Sequence, residues 1–239
     1  MILIYPDKLK DHYKVKMILD HLGYPCTYNT GDAYDVVFNS SQKELHEFDL
    51  KTTKTIINGR CNNVLKNNVD SKWEAVTGRG LSVNPMEFKG WCVEKTLKQG
   101  TNSGRFVMCP HPPKKDFGYF KWVDTRDENM MLNDYRMVIC GGKVILCLIK
   151  RKPQDNPFRF SHTGYIKVNE MHYFSTGEIN NIVTFTQAIG LDFGEIDVLR
   201  SNFDGEVYVI DVNNLAGYGY FRDKEYVKYV SKKFKEAFL

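Results

Sequence analysis

Two β-like apolar runs, residues 135–140 and 143–150, are separated only by Gly141-Gly142. A glycine pair between such runs suits a two-residue hairpin turn, whose central residues take positive φ. An isolated hairpin is marginal in water, so this antiparallel pair must be the centre of a larger sheet. The other β signals gather around it in the chain. Residues 90–95 and 105–109 form a strand and its return across a Gly- and Asn-containing loop, and residues 119–123 form another strand. Residues 196–199 and 206–212 form a last hairpin around Asp204-Gly205. Apolar residues at helical spacing mark a helix over Thr176–Ile189, with Gly190 beyond its C-terminus, and an amphipathic helix through Tyr226, Val227, Val230 and Phe234.

The first 60 residues alternate differently. Short strands are expected at residues 1–5, 25–29, 36–39 and 55–58, with a helix through Tyr13, Val15, Ile18 and Leu22 that Gly23 ends. This is a small α/β unit. Pro6-Asp7-Lys8-Leu9-Lys10 follows its first strand, so the glycine loop that cradles a dinucleotide phosphate is missing. Residues 60–72 are polar and asparagine-rich and read as a linker.

Composition excludes several classes. The chain has 239 residues, 42% apolar and 26% charged, as in a globular protein. No apolar run approaches the ~20 residues that cross a bilayer. The N-terminus has neither the charge nor the length of a secretion signal, so a cytoplasmic protein without a membrane partner is expected. The six cysteines contain no CxxC pair and are expected to be reduced and mostly buried. A net charge of +4 permits an anionic ligand without suggesting nucleic acid.

Three features carry chemistry. Asp211 and Asn213 are two apart on a strand and share a face. Their oxygens suit a hard cation such as Mg²⁺. A three-residue turn at 203–205 would set Asp197 opposite Asp211 as a third ligand, whereas a two-residue turn would put it on the other face. The competing reading is a surface hairpin with solvated carboxylates. Lys95 and the glycine loop 99–104 could hold phosphate through backbone N–H groups, or could be a plain hairpin connection. Arg136, mid-strand among apolar residues with Asp134 two before it, is either a surface ion pair or a phosphate clamp.

In this order the features resemble the ATP-grasp family, from about Asp70 to Gly219. The most specific segments are Asp134-x-Arg136 before the glycine hairpin, Phe158-Arg159-Phe160-Ser161, and Asp197 through Asp211-x-Asn213. The second is similar to the ribosomal-protein glutamate ligase branch. The resemblance implies an α+β ATP-grasp fold, two subdomains clamping ATP, behind a small Rossmann-like α/β domain. The boundaries would be 1–69 and 70–239, the latter divided into an ATP-clamping lobe (70–123) and a metal and substrate lobe (124–239).

Roles follow from the same resemblance. Lys72 and Lys95 would reach the phosphates, with Lys66 and Lys98 as near rivals. Gly100, Ser103 and Gly104 would form a flap. Lys121, Trp122 and Val123 would hold the adenine edge, and Asp124 the ribose. Arg136 would meet the γ-phosphate or an acyl phosphate, and Arg151 and Arg159 the transferred phosphate or an acidic substrate. Asp197, Asp211 and Asn213 would hold Mg²⁺. The implied activity is an ATP- and Mg²⁺-dependent ligase joining a small-molecule or peptide carboxylate to an amine. A kinase on the same fold and a catalytically silent nucleotide-binding protein are the alternatives. The chain departs from the family pattern at Asp211 (commonly Glu), at Ser161 (Asn) and at Asn214-Leu215-Ala216-Gly217 (small-Pro-Gly).

Overall fold

In a computed structural model, residues 1–98, 104–155, 157–158, 165–217 and 219–239 are described. The Gly141-Gly142 hairpin forms as expected. β8 (Leu132–Cys140) and β9 (Lys143–Lys152) pair from Cys140↔Lys143 outward, with φ of 57° and 73° at the two glycines. They lie within a five-stranded antiparallel sheet of order β10-β9-β8-β11-β12. Its other strands are β10 (Tyr165–Val168), β11 (Phe193–Arg200) and β12 (Val207–Asn213).

Alternation along β8 gives this sheet two unlike faces. Tyr135, Met137 and Ile139 point into one core with Cys147, Ile149, Ile196 and Val198. That face is covered by α2 (Lys66–Thr77) and α4 (Thr176–Ile189), through Val69, Trp73, Ile182 and Phe185. The Trp73 ring meets Phe185 edge-on, and its indole N–H donates to the Val207 carbonyl at 3.1 Å. Ser175 and Glu178 form a capping box that starts α4, and Gly190 closes it with φ 79°. A Cβ at Gly190 would stand 2.5 Å from the Arg60 carbonyl carbon. Only glycine admits that approach of the leading segment.

The opposite face is apolar near the hairpin turn. There Val138, Cys140, Leu146, Leu148 and Phe193 pack on the leading unit and on α5 (Lys224–Phe238). The leading unit is a parallel sheet of order β2-β1-β3-β4, built from β1 (Ile2–Tyr5), β2 (Cys26–Thr27), β3 (Val36–Asn39) and β4 (Thr55–Ile57). α1 (Lys14–Leu22) crosses from β1 to β2 and ends at left-handed Gly23. The expected Rossmann-like domain is thus a four-stranded unit that shares one core with the large sheet and α5.

The third sheet is β6-β5-β7, from β5 (Gly90–Thr96), β6 (Arg105–Cys109) and β7 (Phe117–Lys121). The short α3 (Glu170–Tyr173) and a 3₁₀ turn at Gly219–Arg222 complete the elements. The cysteines are free thiols, and all but Cys26 are buried. Among the described residues no helix is long and apolar enough to cross a membrane.

The expected linker at 60–72 is corrected from residue 66 onward. Val69, Trp73 and Val76 recur at helical spacing and dock on the large sheet, so α2 forms despite its asparagines. α2 also runs through residues 69 and 70, where the domain boundary was expected.

Glu94 holds the three-stranded sheet together from behind. Only 1% exposed, it accepts from Arg105 Nε (2.5 Å), Tyr119 Oη (2.9 Å) and Lys114 Nζ (3.1 Å). Burial would push its carboxyl up, but these donors outweigh burial and hold it at about 2. A carboxyl held below its ordinary value stabilises the fold above pH ~4.5 and loses that contribution as pH falls toward 2. Arg105 and Lys114 are half in water, which reduces the effect to about 1–2 kcal/mol. Glu94→Gln is expected to lower stability by that amount at pH 7 and to converge with wild type near pH 2 in urea titrations across pH.

Candidate active site

Beyond the apolar half of the second face, the same strands turn charged. β8 contributes Asp134 and Arg136, β9 Lys150 and Lys152, β11 Glu195 and Asp197, and β12 Asp211 and Asn213. Register sets two pairs of opposite charge across from each other, Arg136 with Asp197 and Asp134 with Lys150, and one pair of like charge, Asp197 with Asp211. Arg136 donates to Asp197 in bidentate fashion, Nε at 2.8 Å and Nη2 at 3.0 Å, and Lys150 Nζ donates to the same carboxylate at 2.6 Å. Lys152 pairs with Asp134. Burial alone would raise the Asp197 pKa, but Arg136 and Lys150 outweigh it and drive the carboxyl far below the usual range. For Arg136 the two carboxylates outweigh burial and raise its pKa.

The last hairpin reaches the expected pairing by a different route. Ser201 N–H donates to the Glu206 carbonyl at 2.9 Å and Gly205 N–H to the Ser201 carbonyl at 3.0 Å, so the loop is four residues, 202–205, rather than three. That register alone would set Asp197 opposite Ile210. A bulge corrects it: Val198 pairs with Val209 and Asp197 with Asp211, leaving Ile210 extra. Asp211 thereby reaches the charged face. Its Oδ1 is buried and has no hydrogen-bond partner among the described residues, and Asn213 Nδ2 stands 3.5 Å from its Oδ2. Burial pushes the Asp211 carboxyl up, with Asp197 adding to the rise and Lys66 opposing it.

An open cleft of about 490 Å³ lies between the three-stranded sheet and the β11–β12 end of the large sheet. Leu81, Val93, Phe120, Val123, Leu199, Val209 and Ile210 make its walls apolar, and Lys121, Trp122 and Val123 run along one side. Lys66 and Lys95 both line it. Lys95 is pushed below the ordinary lysine value by burial, which the charges of Asp134 and Asp211 oppose and that of Lys152 reinforces.

The sequence-based site is therefore gathered in part. Lys95, Lys121, Trp122 and Val123 border the cleft, while Arg136, Asp197, Asp211 and Asn213 lie on the adjoining charged face. Lys72 is exposed on α2 and does not line the cleft; Lys66, one turn and a half earlier on that helix, does. Arg151 pairs across β8 with Asn133, on the face opposite Arg136, and approaches Asp127 at 3.5 Å. Alternation brings its neighbours Lys150 and Lys152 to the charged face in its place. Asp124 takes a bidentate contact from Arg126, with Nε at 2.8 Å, and does not line the cleft. Gly104 lies against the Phe158 ring. Gly100, Ser103 and Arg159 lie outside the described residues. Lys150, Lys152 and Glu195 were missed as site residues. Their signal was the spacing of two on β strands already bearing Asp197 or pairing with Asp134.

Asp211 Oδ1, buried and unpartnered among the described residues, beside Asn213 fits a hard cation, which prefers oxygen. Asp197 already accepts three bonds from Arg136 and Lys150, one on Oδ1 and two on Oδ2, so a cation there would share the carboxylate with both side chains.

No protein-family model matches this chain, and no curated protein does. Solved structures do. The ATP-grasp ligase PsnB, complexed with minimal precursor, Mg and ADP, superposes with a TM-score of 0.60 over 98% of each chain, at 12% identity. The fold is ATP-grasp. A RimK domain protein ATP-grasp from Sphaerobacter thermophilus DSM 20745 gives 0.59 over 99% of this chain and 98% of that one, at 10% identity. The macrocyclase MdnC bound with precursor peptide MdnA, from Microcystis aeruginosa MRC, gives 0.56 over 100% and 98%, at 11% identity. Against the first PsnB complex with minimal precursor the chain spans 58% of that chain's length, less than two thirds. At these identities the likeness is one of ATP-grasp fold. Within that fold, the cleft lies where two sheets face one another, beside the charged end of the larger one.

The two aspartates respond oppositely to neutralisation. Asp197→Asn leaves Arg136 and Lys150 buried without their shared anion, and is expected to lower stability by about 3–5 kcal/mol. Asp211→Asn removes a buried charge that lacks a hydrogen-bond partner on Oδ1 among the described residues, and is expected to leave stability unchanged or raise it by about 1 kcal/mol. Guanidinium unfolding of both variants checks this.

Proposed function

We propose that this protein is an ATP- and Mg²⁺-dependent carboxylate–amine ligase. The observation that carries the reading is the adjacency of a largely apolar cleft, lined by Lys66, Lys95 and Lys121, to a buried charged face on which Asp211 Oδ1 has no hydrogen-bond partner among the described residues. An apolar slot suits a purine, and the backbone of residues 121–123 would hold its edge. Lys66 and Lys95 would take the phosphates, with Lys66 replacing Lys72 in this role. Asp211 and Asn213 would hold Mg²⁺, which supplies charge neutralisation on the phosphates. Arg136 would receive the γ-phosphate, and Lys150 would share the Asp197 carboxylate with it.

In the proposed reaction a substrate carboxylate attacks the γ-phosphorus, forming an acyl phosphate and releasing ADP. An amine then displaces phosphate to give an amide. Such chemistry rests on positioning and charge neutralisation and needs no protein nucleophile. PsnB and MdnC are solved with precursor peptides. A peptide carboxylate is accordingly the substrate class to test first, with Arg159 as a candidate contact for an acidic group.

A thermal-melt titration with the non-hydrolysable analogue AMPPNP tests the site. Ligand at ~100 times its Kd adds about 2.7 kcal/mol, a Tm rise of roughly 5–10 °C for a chain this long. The rise is expected to depend on Mg²⁺, to lose that dependence in Asp211→Ala, and to need roughly tenfold more ligand in Lys95→Met. A folded wild type that shows no shift with nucleotide would overturn the reading. Release of ADP that requires both an acid and an amine supports a ligase, whereas release with acid alone and stable phosphorylated product is the kinase outcome.

A further inference from the structure

Glu195 is buried to 1% exposure on β11, two residues before Asp197 and on the same face. Three groups from three parts of the chain meet its carboxylate. Lys14, in the first turn of α1, forms an ion pair with it. Tyr220 Oη, from the 3₁₀ turn, donates at 2.7 Å. Arg136 Nη1, from β8, lies 3.3 Å away, while the rest of that guanidinium is engaged by Asp197. Lys14 is itself 3% exposed, the only buried lysine of the leading unit, and its Nζ sits 3.9 Å from the Tyr220 ring centroid. Its backbone N–H donates to the Ala216 carbonyl at 2.9 Å, and Tyr13 bridges to Gly217. α1 is thus tied to the segment that follows Asn213.

Burying a lysine is unfavourable unless it is paired, and Glu195 is the partner of Lys14. The seven connected charges are Lys14, Arg136, Lys150 and Lys152 with Glu195, Asp197 and Asp134, four basic and three acidic. Lys14 therefore supplies the surplus positive charge. Without it the cluster is neutral, and Glu195 competes with Asp197 and any incoming anion for Arg136.

We propose that Lys14 is a positioning residue for Arg136: by neutralising Glu195 it weakens that carboxylate's hold on the guanidinium, whose remaining N–H groups on Nη1 and Nη2 then favour the terminal phosphate of a nucleoside triphosphate. The small leading unit is then a working part of the site rather than an appendage. The inference rests on the ligase reading above and adds to it a residue that the fold likeness does not name.

The test is isothermal titration of the full chain with AMPPNP and with ADP, both with Mg²⁺. Wild type is expected to prefer AMPPNP. Lys14→Met is expected to reduce that preference at least tenfold while ADP affinity changes less than about threefold. The double variant Lys14→Met/Glu195→Gln, which restores the surplus positive charge, is expected to recover the preference; loss of packing alone would not be rescued this way. A folded Lys14→Met that keeps the wild-type preference overturns the proposal, as does a folded double variant that fails to recover it. Should Lys14→Met not fold, Glu195→Gln decides: a preference stronger than wild type supports the proposal, and an unchanged one overturns it. A wild type that binds neither nucleotide overturns the ligase reading and this inference together, whereas retained discrimination in Lys14→Met overturns only the inference.

Discussion

Charges buried on half of a sheet face must be paired, and the pairing of Asp197 with Arg136 and Lys150 meets that requirement here. Three adjacent strands of the large sheet each contribute a member, so the strand order β9-β8-β11 is itself a condition for satisfying the charges. The interior favours this register because a one-residue slip would place Arg136 or Lys150 in the apolar core on the other face. The result is a charged surface assembled on strands rather than loops.

That surface gains its meaning from what lies beside it. The three-stranded sheet faces the β11–β12 end and leaves an apolar cleft between. Lys95 belongs to the small sheet and responds electrostatically to Asp134 and Asp211 on the large one. Lys66 comes from α2, which also builds the main core through Val69 and Trp73. Core, cleft and charged face are therefore coupled, with α2 and β11 serving more than one of them. The leading unit joins through Lys14 and through apolar packing shared with α5.

Much of the secondary structure was legible because its signals are local. The Gly141-Gly142 turn, the helix Thr176–Ile189 with Gly190 after it, and the four short leading strands all depend on residues within a few positions. The helix α2 was less legible, since asparagines mask a stripe of Val69, Trp73 and Val76 that declares itself only when docked. β10 and the short α3 carry too few residues to show a period. In the site, Asp211, Asn213 and Arg136 could be chosen from spacing and order. Lys72 and Arg151 could not be separated from Lys66 and Lys150 in the same way, because each choice depends on which face a residue presents to a distant strand or cleft.

The sequence by itself determined most of the strands and helices, the diglycine turn, and the presence of a carboxylate and an amide on one strand face. These follow from φ/ψ preference and periodicity, which act over a few residues. Tertiary structure decided the rest. The Ile210 bulge, set by pairing with β11, brought Asp211 opposite Asp197 although the turn alone would not have done so. Burial beside Arg136 and Lys150 made Asp197 the anchor of two cations. Contact with a helix 181 positions away in the chain placed Lys14 on Glu195. Each of these depends on low-dielectric contact between segments far apart in sequence, and no local pattern encodes such a contact.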